Sequence, residues 1–519
     1  MPNGTTDAAP ISRTERIVSS AVVFAIAVYA AIFIDLYTTV VVLPFFALGC
    51  RRGKHPLKLW ALASVPALAI LVVSAVKFQL TGLPLVFEDH YFLRSNVLML
   101  AYNDWRIAGG VIFGVIGTIL YFRTLFRGQG AFSRIEAASL AALTALVATT
   151  FAIAKPFEQN VYNWNLAMTR PGIEALFLSA NIPDAQLERL PAGAAVPAVD
   201  AASLTAPAGG LPDLFFILQE STFHPKLLRP GFEAKHLFAE SQSQNGLTGP
   251  LRVHTFAGGT WRTEFSLATQ MRPQEFGGDG LYVFHQLEGR IQRSLFTMLK
   301  ELGYRTYVFY PTPTSFLNAR NFYATIGVDE FHDPTTLGTG DGWDWQIPDS
   351  ALYAAMEKKV SEHDGPVAAL MLTIKQHGPH KFEDPMSEYV TDFNASDDAY
   401  GAFLKSREAT GRRTGVVAFG DHHPEFTARF LDNKHDWYFT AYDMRCVNFA
   451  CAPSTLVNDQ NRGLDMVLLP TAALDSFGFG LDGFSAFELS LYRPCIADVT
   501  TCDNGTRLTV NTAFSRYFN

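Results

Sequence analysis

Four apolar runs within the first 155 residues constrain this chain more than any other feature: Ile17 to Cys50, broken by Asp35, then Trp60 to Val76, Ala108 to Phe126 and Ala137 to Ala154. A helix needs about 20 mainly apolar residues to cross a hydrocarbon core of ~30 Å. Residues 1–155 therefore read as an N-terminal transmembrane α-helical bundle. The polar lead Met1 to Arg16 feeds a run far longer than the apolar part of a signal peptide, with further runs behind it, so the block is expected to stay in the mature protein. One helix through the whole first run would be about 50 Å long. Two short spans meeting near Asp35 fit the bilayer better but have no Gly or Pro at the turn, so four and five helices both stand as readings. Asp35 is then an interfacial turn residue or an intramembrane carboxylate.

Short loops rich in Lys and Arg stay cytoplasmic. Arg51, Arg52, Lys54 and Lys58 fill one such loop, and Arg123, Arg127 and Arg134 another. The last apolar run then leads outward, which puts everything after Lys155 on the extracytoplasmic side, together with the loop around Glu88, Asp89 and Asp104. Charge divides at the same place. Up to Lys155 there are 13 Lys and Arg against 7 Asp and Glu, leaving 28 against 42 for the remainder of a chain whose totals are 41 and 49. An acidic outer part argues against nucleic acid as a partner, because such binding draws its affinity from Lys and Arg on phosphates. Cys446, Cys451, Cys495 and Cys502 all fall in that outer part, an even number in an oxidising compartment, whereas Cys50 stands alone beside a cytoplasmic loop. Two disulfides are expected; of the three pairings, Cys446–Cys451 with Cys495–Cys502 is the simplest.

Residues 156–212 carry an aromatic segment with Trp164 and Phe177, then an Ala/Pro-rich stretch from Leu190 to Pro212. The stretch reads as a linker and the segment before it as an interfacial helix or the first packed helix of the next domain. Residues 213–519 change pattern. Short apolar runs at Leu214–Leu218, Thr306–Tyr310, Val367–Thr373, Val416–Phe419 and Met466–Leu469 alternate with helical stretches. Such runs suit strands buried on both faces of a largely parallel sheet, so this part is expected to be an α/β domain with its chemistry beyond the carboxyl ends of the strands.

Glu220 follows the first run, and Gly420-Asp421-His422-His423 follow the fourth. A carboxylate from one strand end and an Asp-His pair from another supply the oxygen and imidazole donors that Zn²⁺, Mn²⁺ or Mg²⁺ accept. Taken singly, Glu220 reads equally as a capping or ion-paired carboxylate and His422 as a packed histidine. Between them, Gly258-Gly259-Thr260 opens a helical stretch through Met271. A hydroxyl at a helix N-terminus meets free N–H groups and the positive dipole end, which makes Thr260 a candidate nucleophile; Thr260 with Thr263-Glu264 also resembles an ordinary capping signal.

Glu220 after the first strand, Gly258-Gly259-Thr260 with Thr263-Glu264-Phe265, and Phe419-Gly420-Asp421-His422 together resemble the membrane-anchored phosphotransferases of the alkaline phosphatase/sulfatase superfamily, above all lipoteichoic acid synthase and the phosphoglycerol transferases. Phe316 to Asn321 with Tyr323, Gly327 and Asp329-Glu330-Phe331 is similar to that family's segment with a substrate-binding arginine, here Arg320, and Leu468-Leu469-Pro470-Thr471 to its late strand. The resemblance implies that Glu220, Thr260, Asp421 and His422 hold one catalytic divalent metal and that Thr260 is the nucleophile. Thr373 to Pro379 resembles instead the His-Gly-Pro segment of lipid A phosphoethanolamine transferases, which makes His377 a substrate-binding or proton-shuttling residue, with Lys375, His380 and His423 as auxiliary polar groups. The expected activity is transfer of a phosphoglycerol or phosphoethanolamine headgroup from a membrane phospholipid to an envelope glycan or lipid, in a multi-pass protein of the bacterial inner (cytoplasmic) membrane with a periplasmic catalytic domain.

Two other chemistries use the same fold. A phosphodiesterase or phosphonate hydrolase, with water replacing the acceptor, is the alternative. An arylsulfatase is excluded, because the nearest match to its modified C/S-x-P-x-R motif, Cys451 to Thr455, has Thr where Arg is required and follows the Asp-His pair instead of preceding it. A scaffold without activity is disfavoured by the full expected ligand set.

Overall fold

The computed structural model describes residues 56–81, 198–223, 245–340, 347–380, 384–431, 436–452, 464–493 and 504–518, apart from a few positions inside these, with short stretches near 84–90 and 116–120. Asp35, Cys50, Cys495, Cys502, Arg127, Arg134 and the run 137–154 lie outside them, as do nearly all of 17–50 and most of 108–126. The chain divides into two compact units, Met1–Gln79 with Leu83–Pro183, and Leu80–Gly82 with Asp184–Asn519. In the first unit the run Trp60–Val76 is helical, inside α1 (Pro56–Thr81), which carries Pro66 within it and exposes Val65, Leu68, Val72 and Val73. Among the described residues no helix is long and apolar enough to cross a membrane.

The second unit is built on one eight-stranded sheet in the order β4-β3-β5-β1-β6-β7-β2-β8. Its strands are β1 (Asp213–Gln219), β2 (Gly246–Arg252), β3 (Arg305–Phe309), β4 (Glu330–His332), β5 (Val367–Leu372), β6 (Thr414–Gly420), β7 (Phe439–Val447) and β8 (Leu464–Asp465). From β4 to β6 every neighbour is parallel; β7 runs antiparallel to both β6 and β2, and β8 lies parallel to β2. Every residue of β1, β5 and β6 is buried, because the sheet is covered on both faces. Alternation along the strands separates the two cores. Phe216, Leu218, Leu370, Val417 and Phe419 enter one cluster, while Phe215, Ile217, Met371, Val416 and Ala418 enter the other.

The first core is closed by α2 (Thr260–Thr269), α3 (Leu295–Glu301), α4 (Ala319–Thr325) and, further along the chain, the helices after β8. The second is closed by α5 (Asp349–Val360), through Leu352, Tyr353 and Met356, and α6 (Pro385–Ala409), through Tyr400, Phe403 and Leu404. Four of the five expected strands form where the apolar runs place them. The fifth does not: only Leu464–Asp465 is strand, Met466–Leu468 is a 3₁₀ turn and Leu469–Ser476 is helix α7. The Asp465 carboxylate accepts from the Val467 N–H at 3.1 Å, and Pro470 occupies the first helical turn, where its missing N–H costs nothing. Helices α8 (Gly483–Tyr492) and α9 (Asn504–Phe514) complete that layer.

Cys446 and Cys451 are bonded as expected. The bond closes a short turn at the end of β7, and Asn245 fills that turn, its Oδ1 accepting from Cys451 N at 3.0 Å and its amide donating to Phe449 O at 2.8 Å.

Candidate metal and nucleophile site

β1 and β6 are direct neighbours, with Gln219 opposite Gly420, so the next residue of each, Glu220 and Asp421, leaves the sheet at the same level. Gly420 is required at that exit. A Cβ on it would lie 1.7 Å from the Thr222 carbonyl oxygen, because the chain leaving β1 crosses directly over it. Ser221 turns that chain with a φ of 50°, its N–H donating to Asp421 Oδ1 at 2.8 Å and its hydroxyl to Glu220 Oε1 at 2.8 Å. The neighbour on the other side contributes as well, since the Thr373 hydroxyl past the end of β5 accepts from Glu220 N at 3.0 Å. Gln376 and Tyr389 extend the frame: the Thr222 hydroxyl donates to Gln376 Oε1 at 3.1 Å, and the Tyr389 hydroxyl to Ser221 O at 2.7 Å.

Thr260 is the first residue of α2. Its N-cap is Gly259, at a φ of 82°, so Thr260 does not cap its own helix and the capping reading of its hydroxyl is set aside. The hydroxyl stands instead 3.4 Å from Glu220 Oε2 and 3.3 Å from His422 Nε2. Glu264, the other half of that signal, is buried elsewhere and accepts from the Tyr310 and Tyr323 hydroxyls at 2.9 and 2.6 Å. Burial pushes its carboxyl up to about 8, against the pull of those two hydroxyls.

Glu220, Asp421 and His422 are all buried, and one donor atom from each lies within 4.8 Å of the others. His422 Nδ1 is 3.0 Å from its neighbour's carbonyl, which puts the ring proton on Nδ1 and leaves a lone pair on Nε2. That lone pair stands 3.2 Å from Asp421 Oδ2, itself buried with no hydrogen-bond donor, and 3.7 Å from Glu220 Oε1. Two acceptors facing each other without a proton between them call for a cation. Donors held ~2.1 Å from one ion at tetrahedral angles are about 3.4 Å apart; Thr260 stands 3.4 Å from Glu220 and 3.3 Å from His422, and His422 3.2 Å from Asp421 and 3.7 Å from Glu220. The donor set therefore fits a divalent ion. Burial, and then the charge of Asp421, pushes the Glu220 carboxyl up to about 8, against the pull of His422 and of the Ser221 and Thr260 hydroxyls.

None of the remaining candidates supplies a donor atom to this group of described residues. Arg320 is exposed on the first turn of α4, and none of the cluster's contacts involves it. His377 follows Gln376 directly; its Nδ1 lies 2.6 Å from Gly378 O and its N–H donates to Ile374 O. Lys375 pairs with Asp392 at 3.1 Å, and the His380 ring packs edge-on against Tyr389 and Phe426. His423 is buried, stacks on Phe223 and shares a 2.7 Å hydrogen bond with Phe439 O; burial lowers its pKa to about 4, so it serves as a neutral packed ring. Ser221, Thr373, Gln376 and Tyr389 escaped the sequence reading because each is an ordinary residue type whose role comes from a partner far along the chain.

Residues 212–444 match the family model described as Sulfatase. An uncharacterized protein of Haemophilus influenzae is 26% identical, the match covering 45% of this chain and 48% of that one. The lipoteichoic acid synthase-like protein YvgJ of Bacillus subtilis is 25% identical over 36% of this chain and 33% of its own length. The chain thus spans half or less of the length of these curated relatives. Among solved structures, the integral membrane lipooligosaccharide phosphoethanolamine transferase A of Neisseria meningitidis shares the fold with a TM-score of 0.50 at 12% identity, covering 89% of this chain and 96% of that one. Residues 212–444, with their strand order, paired strand-end carboxylates and threonine at a helix start, are thus similar to the Sulfatase family.

Proposed function

We propose that this chain is a membrane-anchored, metal-dependent phosphotransferase that moves a phosphoglycerol or phosphoethanolamine headgroup from a membrane phospholipid to an envelope glycan or lipid, through a phosphothreonine at Thr260. The observation that carries the reading is the Thr260 hydroxyl, 3.4 Å from Glu220 and 3.3 Å from His422 at the start of a helix. In this reading residues 1–155 anchor the chain in the bacterial cytoplasmic membrane, 156–212 link, and 213–519 form the extracytoplasmic catalytic domain. The apolar side chains that α1 turns outward, Leu68, Val72 and Val73 among them, suit a lipid environment.

A divalent ion held by Glu220, Thr260, Asp421 and His422, whether Mn²⁺, Mg²⁺ or Zn²⁺, supplies the positive charge that favours an ionised threonine and offsets the phosphoryl oxygens. The N-terminus of α2 favours the same anion through its free N–H groups and dipole. Thr260 Oγ1 attacks phosphorus, the bond from phosphorus to the diacylglycerol oxygen breaks, and that oxygen takes up a proton. An acceptor hydroxyl then attacks the phosphothreonine, forms the new P–O bond, gives up its proton and returns the Thr260 oxygen. His377 carries these protons, and Arg320, exposed on α4, grips the headgroup through its planar fork.

Turnover of a labelled phospholipid by Thr260→Ala tests the reading. Loss of activity by at least about a thousandfold is expected for removal of a nucleophile, with metal content retained through the other three ligands. Activity within a few-fold of the unmodified chain refutes it. Product formation that is indifferent to acceptor glycans assigns the chain to the hydrolases instead.

A further inference from the structure

Helix α2 carries a hydroxyl at every third position: Thr260, Thr263, Ser266 and Thr269. The last two bond back along their own helix, Ser266 to Arg262 O at 3.1 Å and Thr269 to Phe265 O at 2.8 Å, the usual recourse of a hydroxyl inside a helix. Thr263 does otherwise. Buried at 2% exposure, it donates to the main-chain oxygen of Asp421 at 2.9 Å, across 158 positions of chain.

The start of α2 depends on such a contact. Ala257, Gly258 and Gly259 lead into it with φ of 60°, 145° and 82°, and Gly259 at the N-cap offers no side-chain hydrogen bond to the first turn. Uncapped helix ends fray, so the place of Thr260, the first helical residue, is set by bonds from outside the helix. Two of them bracket it. The Ala257 N–H donates to His423 O at 3.0 Å on one side, and the Thr263 hydroxyl donates to Asp421 O, one turn later, on the other. Both acceptors lie in the short segment that carries Asp421 and His422. The body of α2 is held separately, through Phe265, Leu267 and Ala268 in the first core and through Glu264, which accepts from Tyr310 and Tyr323. The Asp421 carboxylate keeps its bonds from Ser221 N and His422 N whether or not Thr263 is present. What the Thr263 bond adds is the register of the first turn of α2 against the Asp421–His422 segment.

We propose that Thr263 is the positioning residue of Thr260: by tying the first turn of α2 to the main chain of Asp421, it holds the Thr260 hydroxyl 3.4 Å from Glu220 and 3.3 Å from His422. The inference rests on the phosphotransferase reading for the reaction that Thr260 performs, whereas the placement of the hydroxyl is measurable without turnover.

Thr263→Val keeps the shape of the side chain and removes the donor; Thr263→Ser keeps the donor and removes a methyl group. The full-length chain is loaded with Co²⁺, whose visible absorption follows its ligand set, to report whether the Thr260 oxygen stays beside the ion. Thr263→Val should shift that spectrum as Thr260→Ala does, with Co²⁺ affinity within about threefold of the unmodified chain because the other three ligands remain, and Thr263→Ser should leave it unchanged. In turnover of labelled phosphatidylglycerol or phosphatidylethanolamine, Thr263→Val should lower kcat by about tenfold or more with KM within about twofold, and Thr263→Ser should keep most of the rate. If Thr263→Val fails to fold by circular dichroism, Thr263→Ala takes its place. A spectrum unchanged by loss of the Thr263 hydroxyl overturns the proposal whatever the rate, and so does a Thr263→Ser chain as defective as Thr263→Val. Should the unmodified chain transfer no headgroup, the phosphotransferase reading fails and the Co²⁺ spectra alone decide on Thr263.

Discussion

Asp421→Asn should make the metal-free protein more stable while depriving it of its metal. Asp421 Oδ1 accepts from Ser221 N at 2.8 Å and from His422 N at 2.9 Å, and an asparagine oxygen can keep both bonds. The other carboxylate oxygen, buried and without a donor, faces the His422 Nε2 lone pair at 3.2 Å. An amide NH₂ in that position donates to the lone pair, adding about 1 kcal/mol for the hydrogen bond, and it removes an unpaired buried charge whose desolvation costs about 1–3 kcal/mol. The metal-free variant should therefore gain roughly 2–4 kcal/mol. The metal-loaded proteins should rank the other way. A ligand at 100 times its dissociation constant stabilises the native state by about 2.7 kcal/mol, and only the aspartate chain should show that gain. Thermal unfolding of both proteins with EDTA and with Mn²⁺ or Zn²⁺ measures all four states. A variant less stable than the parent in EDTA, or one that gains as much from metal, would refute the argument from facing lone pairs.

Three further outcomes follow from other contacts. Burial alone would raise the Glu275 carboxyl, but Arg272 and Arg507 outweigh it and hold it at about 2, below its ordinary 4.5. Its contribution is thus fully present above pH 4.5 and lost as pH falls toward 2, about 3 kcal/mol in all, and urea unfolding of Glu275→Gln should show a flatter acid limb and lower stability at pH 7. Gly420→Ala puts a methyl group 1.7 Å from the Thr222 carbonyl oxygen, so the backbones bearing Glu220 and Asp421 must part; a loss of about 3 kcal/mol or more and a metal affinity lower by at least tenfold are expected by calorimetry. Removing the Cys446–Cys451 bond as a double alanine variant should cost about 2 kcal/mol, the loop-closure value for so short a ring, and leave metal binding intact.

Much of the second unit was legible because its central strands are buried on both faces. Leu214–Leu218, Val367–Thr373 and Val416–Phe419 read as unbroken apolar runs, and their ends pointed to Glu220, Asp421 and His422 before any geometry was known. β2 and β7 were hidden for the opposite reason. Gly246, Gly249 and Pro250 are poor strand formers, yet the antiparallel register with β7 holds them in the sheet. Met466–Leu469 misled because a short apolar run has no period of its own; the Asp465 side chain and Pro470 decided for a turn and a helix. At Thr260 the capping reading turned on a single φ angle, since a left-handed Gly259 takes the cap position and leaves the hydroxyl 3.4 Å from Glu220 and 3.3 Å from His422. The supporting bonds from Ser221, Thr373 and Tyr389 leave no local signal, because each joins positions that only the sheet brings together.

The central claim is that Thr260 carries the headgroup in transit, and mass spectrometry of the enzyme itself tests it most directly. The metal-loaded chain is mixed with phosphatidylglycerol or phosphatidylethanolamine without acceptor, quenched in acid within seconds, digested, and the peptide that begins α2 is weighed and sequenced. The account predicts one phosphoglycerol or phosphoethanolamine group on Thr260, absent after EDTA treatment and discharged when an acceptor is added. Diacylglycerol release with Thr260 unmodified at every time point would contradict it.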